Sequence, residues 1–247
     1  MSNITTGHRL LVVGGLLLTY GLALSTIYAN FPELSESDKE DFKYPRNLED
    51  AKKLGRVLSH YKDLHGLTVL FGVVTVYVLL QSFAIPGSIF LTILSGYLFP
   101  FPIAITLVCS CSALGAGVCY LLSFLLGRDL VIRKFPEKIT SWQKEVDKQR
   151  GNLLSYIVFL RVTPLLPNWF INIASPVIDV PFWTFFWGTF LGVAPPSFLY
   201  IQAGSTLEQM THTNVAWSWN SILLLSFFAI ISLIPVLWNN RNKSKKE

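Results

Sequence analysis

The feature that most constrains this chain is the length of its uncharged apolar runs. Residues 10–29 contain no Asp, Glu, Lys or Arg. As a helix, such a run reaches about 30 Å, the thickness of a bilayer's hydrocarbon core. Similar runs extend from about Leu67 to Phe83, Phe101 to Leu126, Phe182 to Ala203 and Ser218 to Trp238. With 51% hydrophobic and only 14% charged residues in 247, an integral membrane protein is the class predicted. A signal peptide is the rival interpretation for residues 10–29. Its apolar core would be unusually long, and only Arg9 precedes it, so an anchor is expected.

A second constraint is the stretch Phe159-Leu-Arg-Val-Thr-Pro-Leu-Leu-Pro-Asn-Trp-Phe-Ile-Asn172. Pro164 and Pro167 each remove a ladder donor and clash with the preceding turn of a helix. In lipid, freed carbonyls are tolerated only against other protein groups or a polar cavity. A cation at membrane depth, here Arg161, is costly and normally faces a partner or an interior path. The segment is therefore expected to be a broken, re-entrant hairpin, with a Pro-kinked helix and a snorkelling arginine as the alternative.

The run after Leu67 poses the same problem. Pro86-Gly87 interrupts it, and Pro100 and Pro102 close it, which predicts a second re-entrant hairpin over about Ile85 to Pro100. Farther along, Pro195 and Pro196 are expected to kink the span from Phe182 to Ala203. Small residues cluster at Ser112, Ala113, Gly115, Ala116 and Gly117, while Gly188 and Gly192 stand four apart. Such residues let helix backbones approach closely in lipid. Cys109, Cys111 and Cys119 fall in one apolar run, match no zinc spacing, and are expected to serve packing.

Two polar stretches carry helical periodicity. Leu48, Ala51, Leu54, Leu58, Tyr61 and Leu64 outline an amphipathic helix within residues 30–65. It lies either on the membrane surface or on the rest of the protein. Ile139, Trp142, Val146 and Leu153 suggest another within the basic loop 127–151, with a solvated charged helix as the alternative. The basic residues also orient the chain. The loop 127–151 and the tail are rich in Lys and Arg, and 205–217 has neither, so tail and basic loop are expected in the cytosol. Five spans and two hairpins then place residues 1–8 in the lumen, where the sequon Asn3-Ile-Thr5 would be usable. The hairpins enter from opposite faces, as in inverted-repeat transporters. The organisation expected is an all-α multi-span bundle: an anchor and polar connector (1–66), a core with two opposed Pro-broken hairpins (67–204), and a last span with a basic tail (205–247).

The blocks Phe83-Ala-Ile-Pro-Gly-Ser88, Leu94-Ser-Gly-Tyr97, Gly115-Ala-Gly-Val-Cys-Tyr120, Leu126-Gly-Arg128 and Leu160 to Asn172 resemble the VTT-domain proteins of the DedA superfamily. Together with Gly192-Val-Ala-Pro-Pro-Ser197, they are most similar to its transmembrane protein 41 (Stasimon) group. The resemblance covers roughly Leu67 to the C-terminus. It implies an endoplasmic-reticulum phospholipid scramblase supporting autophagosome formation, lipid mobilisation and lipid-droplet balance. In the bacterial branch the first hairpin carries acidic residues and the second a paired arginine. Here Gln81 and Ser88 occupy the acidic places and Pro167 stands where the second arginine is expected. Proton coupling needs an ionisable relay in the membrane; its thinning favours passive movement.

A scramblase must lower the cost of moving a headgroup through hydrocarbon. Arg161 is expected to attract phosphate by charge-assisted hydrogen bonds. Thr163, Asn168 and Asn172 would offer neutral partners, and Gln81 and Ser88 would line the path from the other hairpin. In the alternative interpretation Arg161 only pairs with Asp179 to hold the fold. His8, His60, His65 and His212 are scattered with no metal pair, no Gly-rich phosphate loop is present, and no enzyme, cofactor or metal is expected. Membrane phospholipids are the expected partners, with other VTT-domain or autophagy proteins, and nucleic acid is not one. Rival functions are an ion- or proton-coupled lipid transporter and a structural protein that recruits autophagy or contact-site partners. The tail places Lys243 and Lys245 fifth and third from the end, which matches a cytosolic dilysine retrieval signal.

Overall fold

A computed structural model describes residues 6–148, 150–163 and 166–212, and every regular element among them is helical. The sequon at Asn3, Pro164, the span from Ser218 to Trp238, and Lys243 and Lys245 lie outside the described residues. In chain order the helices are α1 (Thr6–Asn30), α2 (Glu36–Asp41), α3 (Leu48–Ser82), α4 (Ser88–Leu98) and α5 (Phe101–Leu122). A π-helical stretch, Ser123–Gly127, carries α5 straight into α6 (Arg128–Lys134). Then follow α7 (Pro136–Lys148), α8 (Leu153–Val162), α9 (Asn168–Ala174), α10 (Phe182–Gly192) and α11 (Ala194–His212). Among the described residues, three helical stretches are long and apolar enough to cross a membrane: Arg9–Asn30, Leu48–Ser82 and Phe101–Lys134.

The amphipathic segment and the second apolar run form one 35-residue helix, α3, bent at His65 (φ −125°, ψ 35°). Asn47 caps its start by accepting from the Asp50 N–H at 2.8 Å. Its polar half packs on protein, because Leu54 and Leu58 share a core with Leu94 and Tyr97 of α4. Before it, the Asp38 carboxyl accepts from Ser35 and Tyr61 hydroxyls at 2.7 and 3.0 Å. Those bonds, Ser35 first, hold it below the usual carboxylate range.

Two groups of helices share one plan. In the first, α3 stops at a break containing Pro86 and Gly87, and α4 folds back along it. Gly87 supplies the left-handed turn (φ 116°) that admits α4. Next, α5 packs alongside α3 in the same direction, since Tyr77 meets Ser112 while Val78 and Gln81 meet Gly115. In the second group α8 stops before Pro167, α9 follows, and α10 packs parallel to α8. Here Ile157 meets Gly188 and Arg161 meets Gly192. The two groups run in opposite senses. Tyr120 of α5 reaches Val180 and Phe182 at the start of α10, whereas Gly117 faces both Phe182 and Phe186.

At 11, 10 and 7 residues, α4, α8 and α9 are each too short to cross about 30 Å of hydrocarbon alone. The cores follow the same division. Leu80, Leu94, Leu98, Val108 and Ile201 centre one cluster, and Ile157, Ile171, Val180 and Phe185 the other. All three cysteines are buried free thiols in α5, in keeping with a packing role.

The stretch from Phe182 to Ala203 is interrupted where the proline pair is expected to bend it. It is divided at Val193, which keeps helical dihedrals (φ −82°, ψ −14°), into α10 and α11, and Pro195 and Pro196 occupy the first turn of α11. Lacking N–H groups, the pair cannot bond the carbonyls of Leu191 and Gly192, so the ladder of α10 stops there. Along α11, Gly204 crosses Gly96 of α4. A methyl on Gly96 would strike the Ile201 carbonyl and one on Gly204 the Ile93 carbonyl, and Ser205 donates to the Gly96 carbonyl at 2.9 Å.

Candidate functional site

The site centres on Arg161, next to last in α8. Only 5% of it is exposed, and it is the only charged side chain buried among the described residues. Gly192 makes room, since a Cβ there would stand 2.6 Å from the Arg161 Cβ. The break after Val162 turns the chain so that α9 comes back under the arginine. Pro167 begins that helix at φ −61° and ψ 139°, a conformation its ring favours.

The guanidinium is held by neutral groups from two helices, α9 and α10. One terminal nitrogen donates to the carbonyl and side-chain oxygens of Asn168, at 3.3 and 3.2 Å. The other donates to Asn172 Oδ1 at 2.6 Å and Thr189 Oγ1 at 2.9 Å. The Phe185 ring lies under it, 5.2 Å from centroid to guanidinium carbon. Arg161 Nε and Asn172 Nδ2 are buried without a hydrogen-bond partner. No carboxylate pairs with the arginine among the described residues. Asn172 is fully buried while Asn168 is exposed, so the cation lies directly beneath the surface at a helix break. Neutral dipoles and an aromatic face steady a buried guanidinium without cancelling its charge. Such a centre attracts anions that present planar or paired oxygens.

Asn168 and Asn172, expected from the sequence, thus reach Arg161. Thr163 does not, because its hydroxyl donates to the Phe159 carbonyl of its own helix at 2.7 Å. Gln81 and Ser88 stand on either side of the first break, in the other helical group. Gln81 faces Gly115, and the Ser88 carbonyl accepts from Thr92. That group has a neutral counterpart to the arginine centre. Tyr77 bonds Thr92 at 3.0 Å and accepts from Ser112 at 3.2 Å, joining the helix before the break, the short helix and the helix beyond.

Asp179 is not the partner of Arg161. Its carboxylate takes Arg128 at 2.5 Å and Gln143 at 2.7 Å, and Arg128 also donates to the Pro176 carbonyl at 3.2 Å. The turn after α9 explains this. Asp179 adopts φ 61°, which sends its side chain toward α6 and α7. Sequence reasoning missed Thr189, which sits between Gly188 and Gly192, and Phe185, in the aromatic run before them. The four-residue spacing of Gly188 and Gly192 marked that face only as a packing surface.

Residues 85–206, from the first break to α11, match the VTT domain family. The chain is 63% identical over 239 residues to the transmembrane protein 41 homolog of Caenorhabditis elegans, covering 97% of both chains. It is 52% identical to transmembrane protein 41B of Homo sapiens, over 96% of this chain and 82% of the relative. For transmembrane protein 41B of Danio rerio the identity is 55%, over 90% and 78% respectively. No solved structure matches the chain.

Proposed function

The chain belongs to the transmembrane protein 41 family of VTT-domain, DedA-type membrane proteins, and on that premise we propose that it is an energy-independent phospholipid scramblase. Its membrane is that of the endoplasmic reticulum, its tail is cytosolic, and it supports autophagosome formation, lipid mobilisation and lipid-droplet balance. The observation that carries this function is Arg161: a buried guanidinium with neutral partners only, beside a helix break, one residue from the surface. A phosphodiester entering past Asn168 exchanges that neutral amide for its own oxygens and meets a full positive charge. The two short-helix segments, α4 and α8–α9, act as opposed re-entrant hairpins that thin the apolar barrier. Gln81, Ser88 and Thr163 belong to the same headgroup path, and the acyl chains stay outside in lipid.

A proton- or ion-coupled transporter needs a second ionisable group in the path, and Arg161 is the only buried charge among the described residues. The test is reconstitution of the full chain in liposomes bearing a fluorescent phospholipid and an outer-leaflet quencher. Quenching that passes the outer-leaflet half without nucleotide or ion gradient is expected. Arg161→Gln should slow it while the protein keeps its thermal unfolding profile. Equal rates in that variant would remove the arginine from the path, and dependence on a proton gradient would favour the coupled transporter. Absence of lipid movement in any vesicle would leave a recruiting role.

A further inference from the structure

The helix α7 has an inner and an outer side that face different surroundings. On the inner side, Trp142 meets the Phe170 ring edge-on at 6.3 Å, and Gln143 donates to Asp179 and to the Val177 carbonyl. Val146 packs into the cluster that holds Ile171 and Val180. Arg128 completes a latch at Asp179. The contacts of Trp142 and Gln143 fall on α9 and the turn after it. That same helix presents Asn168 and Asn172 to Arg161, so a displacement of α7 reaches the guanidinium through one short rigid helix.

On the outer side, Arg133, Lys134, Lys138 and Lys144 are exposed and pair with no carboxylate among the described residues. Their neighbours differ: Lys148 and Arg150 are neutralised by Glu145 and Asp147. Leu130 and Phe135 are exposed beside the unpaired cations. Helix α5, its π-helical turn and α6 together run 34 residues, about 51 Å at 1.5 Å each, which exceeds about 30 Å of hydrocarbon and is long enough to bring α6 to headgroup level. Unpaired cations interleaved with apolar and aromatic side chains at that level complement an anionic leaflet.

We propose that the outer face of α6–α7 docks on an anionic phospholipid surface, and that the Gln143–Asp179 latch carries this contact to Arg161. This rests on Arg161 being the headgroup site, and it makes anionic lipid on that face an activator of headgroup passage. Gln143 is then a positioning residue that acts through α9.

The experiment uses the full chain in nanodiscs and vesicles of phosphatidylcholine, with or without phosphatidylserine. An environment-sensitive fluorophore at Lys144→Cys reads docking, the native thiols being buried, and flip of a phosphatidylcholine probe reads passage. Phosphatidylserine should blue-shift the fluorophore and raise the flip rate about threefold or more, as expected for several cations near an anionic leaflet. Replacing Arg133, Lys134 and Lys138 with Gln should abolish both responses and leave the rate in neutral vesicles unchanged. Gln143→Leu should keep the blue shift and lose the rate response, with hydrogen exchange in α9 confirming a folded helix. A fluorophore indifferent to phosphatidylserine overturns the docking surface, as does a shift produced equally by a soluble acidic peptide. Docking without any rate response in the native chain overturns the coupling. If no vesicle shows lipid movement, scrambling itself fails, while the fluorophore still decides the docking.

Discussion

At the scale of single residues, Arg161 is satisfied on four contacts and neutralised on none, and that combination gives testable consequences. Thr189→Val keeps shape and removes one acceptor from a buried charge. It should lower stability by about 1–3 kcal/mol, measured by thermal unfolding in detergent, and Thr189→Ser should restore it. Arg161→Lys keeps the charge but not the planar fork that serves Asn168, Asn172 and Thr189 together. Partial lipid movement is expected, between the native rate and that of Arg161→Gln. Asp179 belongs to a different pair. Exchanging charges between Arg161 and Asp179 should fail to rescue folding, whereas Arg128→Asp with Asp179→Arg should recover what either change loses. With Asp179 45% exposed, the single change Asp179→Asn should cost little, within about 1 kcal/mol. Chemical denaturation of all the variants side by side checks the set.

At the scale of elements, glycine positions decide which helices touch. A methyl at Gly192 would stand 2.6 Å from the Arg161 Cβ, but one at Gly117 would meet the Phe182 and Phe186 rings at ordinary contact distances of 3.5 and 3.6 Å. Gly192→Ala should therefore destabilise by about 1–3 kcal/mol through overpacking and slow lipid movement, while Gly117→Ala should be tolerated in the same assays. Gly96→Ala and Gly204→Ala should each part α4 from α11, because backbone carbonyls, unlike flexible side chains, cannot give way. Much of this was visible as small residues four apart, a spacing that predicts close packing but not the partner. The prolines illustrate the limit differently. Pro86 lies in the break after α3, Pro167 stands just before α9, and Pro195 and Pro196 follow the interruption at Val193. A missing N–H stops the ladder of the helix before it and costs nothing in the first turn of the next, so the place of a break is legible in the sequence while the direction of the following helix is not.

At the scale of the whole molecule, the described residues form two helix–break–helix groups of opposite direction around α5, and the proposed address lies beyond them in the tail. Changing Lys243 and Lys245 to Ser should let a fraction of the protein reach later compartments, scored by microscopy against organelle markers. Glycosylation at Asn3, read as a mobility shift removed by glycosidase, should mark the N-terminus as lumenal. The apolar runs, the breaks and the arginine set among them were fixed by local chemistry alone, because bilayer thickness and missing backbone donors act on consecutive residues. The arginine's two asparagines lay within reach along the chain and were legible for that reason. Its other holders, Thr189 and Phe185, and the true partners of Asp179 were decided only by tertiary structure. Each depends on how far apart segments cross, and on a single turn at φ 61° that aims a carboxylate away from the nearest buried cation. Periodicity along a sequence specifies which face is buried, whereas the neighbour across that face is chosen by packing in three dimensions.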